Sequence, residues 1–215
     1  MKGIHYKKWF HLIAKQKKWI ISSLAVYAFT VLFLLPIFYH LGNADAQIDI
    51  RLQEVHEKLK TDPSNPDLLT DLAWIYFETG KLEDAEAAVD KALEEAENHI
   101  GAQYIHGLIN TDLFHYDEAE KSFLSIIEET KGEGEGSVLA FYGLGLMYKQ
   151  KEDYLNALKY LLEASNKKPD FAELHFELGV LYWELGNDIL ANKSFGRAIM
   201  LDNTFSEMAE EIKKK

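Results

Sequence analysis

The sequence predicts an all-α protein in which one membrane-spanning helix leads into a solenoid of paired helices. Three observations carry that expectation. Residues 65–98 read as two amphipathic helices joined by a tight turn at Gly80. The same pattern of small and large apolar residues returns three more times along the chain. Ahead of the first copy, Trp19–Leu41 contains no Asp, Glu, Lys or Arg.

In the first hairpin, Ala73, Ala85 and Ala92 stand where two helices must cross closely, and Leu69, Leu72, Tyr76, Leu82 and Val89 fill the space between. Such a hairpin buries one stripe per helix but cannot enclose a core alone, so copies must stack beside it. Equivalent copies start at Pro66, Ile100, Val138 and Ala172, in steps of 34, 38 and 34 residues. The fourth copy supplies His175, Leu178, Gly179, Tyr182, Ala191, Phe195 and Ala198, with Asn203 at its exit. Phe141, Leu144, Gly145, Tyr148, Ala157, Leu161, Ala164 and Pro169 come from the third. The second is the most divergent, with Gln103, His106, Gly107, Asn110, Ala119, Phe123 and Ile126. A helix–turn–helix unit of 34 residues with this pattern resembles the tetratricopeptide repeat. The resemblance covers roughly Gln47 to the C-terminus and implies a right-handed α-solenoid of about four repeats.

Taken in order, 1–18 is a basic segment expected on the cytoplasmic side. The 19–41 stretch is the expected anchor, about 35 Å long as a helix against a hydrocarbon core of about 30 Å. Trp19 and Tyr39 stand where interfacial aromatics belong, and lysines before with acids behind place the N-terminus inside. Ala44-Asp45-Ala46 also resembles a cleavage site, although a signal peptide's apolar region is shorter, about 7–15 residues. Gly42 and Asn43 are expected to break the helix, so 42–65 would hold a short linker and a half-repeat helix from Asp45 or Ala46 to Lys60. Its stripe is Ile48, Leu52, Val55 and Leu59. Repeats follow at 66–99, 100–133, 138–171 and 172–203, with a Gly-rich insertion at 134–137. Lys131–Gly136 (KGEGEG) reads as a mobile loop, either a tolerated insertion or a hinge. Finally, 204–215 is expected to be a capping helix with the stripe Phe205, Met208, Ala209 and Ile212.

Charge and composition exclude several functions. All 35 acidic residues lie at or beyond Asp45, where 17 basic residues accompany them, a net of −18. That surface repels nucleic acid. With no cysteine, thiolate chemistry, disulfides and Cys-based zinc sites are absent. His99, His106, His115 and His175 lack ligand spacing, and His106 and His175 fall on packing positions. Gly132, Gly134 and Gly136 are followed by no Lys-Ser/Thr, unlike a phosphate loop. Glu94-Glu95 and Glu128-Glu129 read as solvated helix faces. No enzyme, cofactor, metal site or small-molecule substrate is therefore expected.

The resemblance implies that the first helices line a concave groove. Carried onto this chain, its candidate residues are Thr70, Trp74, Phe77 and Glu78; Tyr104 and Leu108; Tyr142 and Leu146; and Phe176, Val180, Trp183 and Glu184. The Lys and Asn with which some family members grip a C-terminal carboxylate are absent at these positions. What remains is an aromatic and aliphatic trough with acidic edges, suited to a peptide or helix of a partner protein. The expected protein is a single-pass adaptor, anchored by Trp19–Leu41 in a bacterial inner membrane with its repeats outside the cytoplasm. In layout it resembles the repeat subunit of cytochrome c maturation and the single-span ancillary subunits of secretion. A constitutive structural subunit of a large membrane complex is the other reading.

Overall fold

The computed structural model describes residues 35–214, with side chains from 46 onward. The basic segment 1–18 and most of the expected span Trp19–Leu41 lie outside the described residues. Among the described residues no helix is long and apolar enough to cross a membrane. The chain divides into two units, 1–53 and 54–215. The described part of the first is helical throughout and belongs to α1, Leu35–Thr61.

Gly42 and Asn43 do not end this helix, contrary to the expected break. A lone glycine inside a helix costs only about 1 kcal/mol, too little to stop it. Further along, Val55 is buried and Leu52 and Leu59 are half-buried, as the i, i+3, i+7 spacing requires.

The second unit continues with nine more helices among the described residues. They are α2 (Pro66–Glu78), α3 (Leu82–Glu95), α4 (Ile100–Asp112), α5 (Tyr116–Glu129), α6 (Gly134–Gln150), α7 (Tyr154–Lys167), α8 (Ala172–Glu184), α9 (Asp188–Leu201) and α10 (Phe205–Ile212). Local chemistry fixes their starts. Asn65 caps α2, its Oδ1 accepting from the Leu68 amide at 3.1 Å, and Pro66 follows where no amide is needed. Asp153 and Asn187 cap α7 and α9 in the same way.

Every hairpin turn closes identically. Lys81, His115, Asp153 and Asn187 donate their amides to the carbonyls of Tyr76, Asn110, Tyr148 and Tyr182, at 2.9, 2.8, 2.9 and 2.8 Å. This double-bonded helix end needs a left-handed residue just before the donor. Gly80, Phe114, Glu152 and Gly186 occupy that place, with φ of 71, 62, 62 and 71°.

Inside each hairpin, size is balanced between one first-helix and one second-helix position. A Cβ on Gly107, Gly145 or Gly179 would stand 2.6, 2.5 or 2.5 Å from Phe123, Leu161 or Phe195 of its own repeat. The first repeat makes the opposite trade, pairing the larger Ala73 with the smaller Val89, both fully buried. Ala85, Ala119, Ala157 and Ala191 are likewise fully buried where the helices cross.

Phe123 does more than close its own hairpin. A Cβ on Gly143, in the next repeat, would approach the same ring to 2.5 Å. Its ring is therefore held between two bare glycine backbones, and it joins the second repeat to the third.

The Gly-rich stretch also differs from its expected form. From Gly134 onward it is helix, and α6 has 17 residues where α2, α4 and α8 have 13. The four extra residues make about one helical turn of 3.6, which leaves the repeat that follows in phase. Ser137 and Val138 are buried, and a Cβ on Gly136 would lie 3.1 Å from Ile100, so the added turn packs. The reversal is confined to Lys131 and Gly132, both at positive φ, and to Gly134.

The glycine clamp gives a stability test. Gly143→Ala should lose about 1–3 kcal/mol by overpacking against the Phe123 ring. Gly196→Ala, on helix α9 with nothing within 4 Å, should gain about 0.5–1 kcal/mol from helix propensity. Urea melts at constant m-value check the pair.

Candidate protein-interaction groove

Which side of the array can receive a partner follows from the helix neighbours. The first helices α2, α4, α6 and α8 touch one another in succession, and each second helix touches the first helix that follows it. Among the described residues no two second helices bring their backbones as close together. The first helices therefore form a continuous inner wall, and the second helices splay outward behind it.

The splay leaves seams. Three outer hollows of about 360, 280 and 550 Å³ lie between α1 and α3, α3 and α5, and α7 and α9. Their floors are equivalent first-helix residues: Leu69, Leu72 and Tyr76; Gln103 and His106; His175, Leu178 and Tyr182. Recurrence at the same repeat positions makes these seams a product of the architecture. They hold the divergent polar residues as well. His106 Nδ1 lies 2.8 Å from Ser122 Oγ, Asn110 Nδ2 donates to the His106 carbonyl, and His175 Nε2 donates to the Pro169 carbonyl at 2.9 Å. Both histidines are hydrogen-bonded packing residues.

On the inner wall the expected residues separate into four groups. Trp74, Phe77, Tyr104, Leu108, Tyr142 and Leu146 are half-buried on α2, α4 and α6. Trp74 and Phe77 tilt against each other with ring centroids 5.9 Å apart, and Tyr142 packs on Phe171 at 5.0 Å. Glu78 and Glu184 are exposed at the rim.

Thr70 offers no free hydroxyl, because its Oγ1 donates to the Pro66 carbonyl at 2.6 Å and its methyl faces Gly101. Phe176 and Val180, expected in the open groove, are buried instead. Phe176 stacks on Phe205 of α10 at 5.0 Å and lies 5.6 Å from Phe195. Trp183 packs against the same cluster. The cap occupies the place a further repeat's first helix would take, so the wall is closed at its C-terminal end.

Burial and charge shape the middle of the wall. The Tyr104 phenol is pushed up to about 12 by burial alone. That of Tyr142 is also raised, first by burial and then by Glu177, Tyr104 and Glu173. Lys149 Nζ donates to Glu177 at 2.6 Å, one of few cations on this side. Among the described residues no group of acids and histidines could hold a metal ion.

Family comparison decides the kind of fold. Residues 52–109, 138–186 and 172–205 each match a tetratricopeptide repeat description. The chain carries tetratricopeptide repeats. Superkiller protein 3 of Schizosaccharomyces pombe is 24% identical over 186 residues, covering 83% of this chain and 11% of that protein. Human superkiller complex protein 3 is 28% identical over 112 residues, 52% of this chain and 7% of its own length. The chain thus spans about a tenth or less of these relatives. Among solved structures, a thermophilic tetratricopeptide repeat protein of Thermus thermophilus overlaps with a TM-score of 0.71 at 17% identity, covering 85% of this chain and 96% of that one. MamA of Desulfovibrio magneticus overlaps at 0.58 and 19% identity, over 80% and 94%. At such identities the likeness is one of fold.

The buried phenol of this repeat wall makes a signed pH prediction. The folded protein keeps the Tyr104 proton up to about pH 12, whereas the unfolded chain loses it near 10. Its contribution is therefore whole below pH 10 and is lost as pH rises toward 12. Tyr104→Phe should flatten part of that alkaline decline in melting temperature.

Proposed function

We propose that the protein is a membrane-anchored tetratricopeptide adaptor that holds a polypeptide against the inner wall of its first three repeats. The anchor is Trp19–Leu41, and the repeats face the outer side of a bacterial inner membrane. There the protein assists assembly or biogenesis of a protein complex, such as c-type cytochrome maturation or secretion. What carries the reading is the run of half-buried apolar side chains on α2, α4 and α6, from Trp74 and Phe77 through Leu108 to Leu146. Trp and Tyr are the residues that most often dominate binding energy. Tethering to a membrane raises local concentration, so a groove of modest affinity can act. The acidic rim favours partners with basic residues and affects chiefly their rate of arrival.

Trp74→Ala combined with Phe77→Ala tests this directly. Truncating a fully buried aromatic costs about 3–5 kcal/mol, and Phe176→Ala should show a loss of that size. The Trp74/Phe77 double variant should melt well above Phe176→Ala, yet recover no partner from detergent-solubilised membranes. Undiminished partner recovery, or a melt as low as that of Phe176→Ala, would remove the case for the groove.

A further inference from the structure

The left-handed position in each hairpin turn is filled well by Gly80 and Gly186 and badly by Phe114. A bulky residue at φ 62° is strained, and Phe114 is also 66% exposed. Glycine would serve the fold better there, as the first and fourth turns demonstrate. Where a sequence breaks a local rule with no gain to the fold, function is the expected reason.

Phe114 has company along the same edge. Leu155 and Ile189 stand three residues beyond Glu152 and Gly186, the counterparts of Phe114, at the starts of α7 and α9, and are 79% and 82% exposed, with Leu185 just ahead of the last turn. Phe114 meets Tyr116 edge-on at 6.1 Å, and Lys151 Nζ lies 5.7 Å over the Tyr116 ring and 5.9 Å over Tyr148. The lysine thus ties the second turn to the third. Within 112–117, 150–155 and 184–189 it is also the one basic residue other than His115, against Asp112, Asp117, Glu152, Asp153, Glu184 and Asp188. The turn of the first repeat, with Gly80, Lys81 and Glu83, has no exposed apolar side chain.

A row of exposed apolar groups set among carboxylates is complementary to one kind of occupant. We propose that the turn edge of the second to fourth repeats docks a cationic amphipathic helix of a partner protein. The apolar stripe of that helix would cover Phe114, Leu155 and Ile189, while its lysines or arginines meet the six acids. Its apolar row is separate from the inner wall, with which it shares only Glu184 of the rim, and works whether or not the wall is filled.

The test uses the full chain and a synthetic helical peptide of leucine and lysine with a 3.6-residue period, followed by fluorescence anisotropy. A matched peptide with serine for leucine controls for bulk charge. Phe114→Gly should raise the melting temperature, because strain is relieved, and yet weaken peptide binding. Leu155→Ser with Ile189→Ser should weaken it about tenfold with an unchanged melt, whereas Trp74→Ala with Phe77→Ala should leave it intact. Equal binding of the serine peptide, wild-type affinity in the edge variants, or no binding at all overturns the proposal. So does a lower melt for Phe114→Gly. Since the chain has no cysteine, a solvent-sensitive dye on Ile189→Cys reads the occupant: a blue shift with the peptide supports the proposal. A shift with phosphatidylcholine vesicles and not with the peptide assigns the edge to lipid and overturns it.

Discussion

The ring of Phe123 sits between two glycines, Gly107 of its own repeat and Gly143 of the next. Neither backbone could come so close if it carried a side chain. That approach sets the distance between α4, α5 and α6, and with it the join between the second and third repeats. Here also the repeat spacing lengthens by four residues. The clamp holds the array in phase across the insertion, so the inner wall stays continuous from α2 to α6. An uninterrupted wall is the physical basis for reading it as one binding surface.

Close helix approach recurs in every repeat by the same trade of volumes. Gly145 admits Leu161, Gly179 admits Phe195, and Ala73 takes the smaller Val89. First helices that pack this tightly on their partners also touch one another, and the second helices diverge behind them. The outer seams and the inner wall are thus two results of one packing rule. The wall presents a run of aromatic side chains, Trp74, Phe77, Tyr104 and Tyr142, that the repeats leave half-buried. At the C-terminal end the rule is satisfied by α10, which covers Phe176 and Val180 as a further first helix would.

Much of this is legible in the sequence because the repeat states itself four times. The 34-residue period places α2, α4 and α8 at Pro66, Ile100 and Ala172, where the helices do start. The small-against-large pairing at Gly179 and Phe195 is visible as residue types. Other features need coordinates. KGEGEG has the composition of a linker, and only its length, near one helical turn, hints that part of it extends α6. A repeat pattern treats each copy as if it had neighbours on both sides, and so gives the fourth an open face that the cap covers. Thr70 looks available because its bond to the Pro66 carbonyl is local and leaves no mark in a pattern. The edge residues escape notice because they lie outside the packing positions, although aligning Phe114 with Gly80 and Gly186 is sufficient to expose it.

The central claim is that a polypeptide lies along the inner wall and not in the outer seams. Site-specific photo-crosslinking in cells tests it most directly, with the photoreactive residue placed at Leu108 or Leu146 on the wall and at Leu162 or Met200 in the outer seam. The wall positions should yield a discrete crosslinked polypeptide and the seam positions none. Crosslinks from Leu162 and Met200 as strong as those from Leu108 and Leu146 would contradict it.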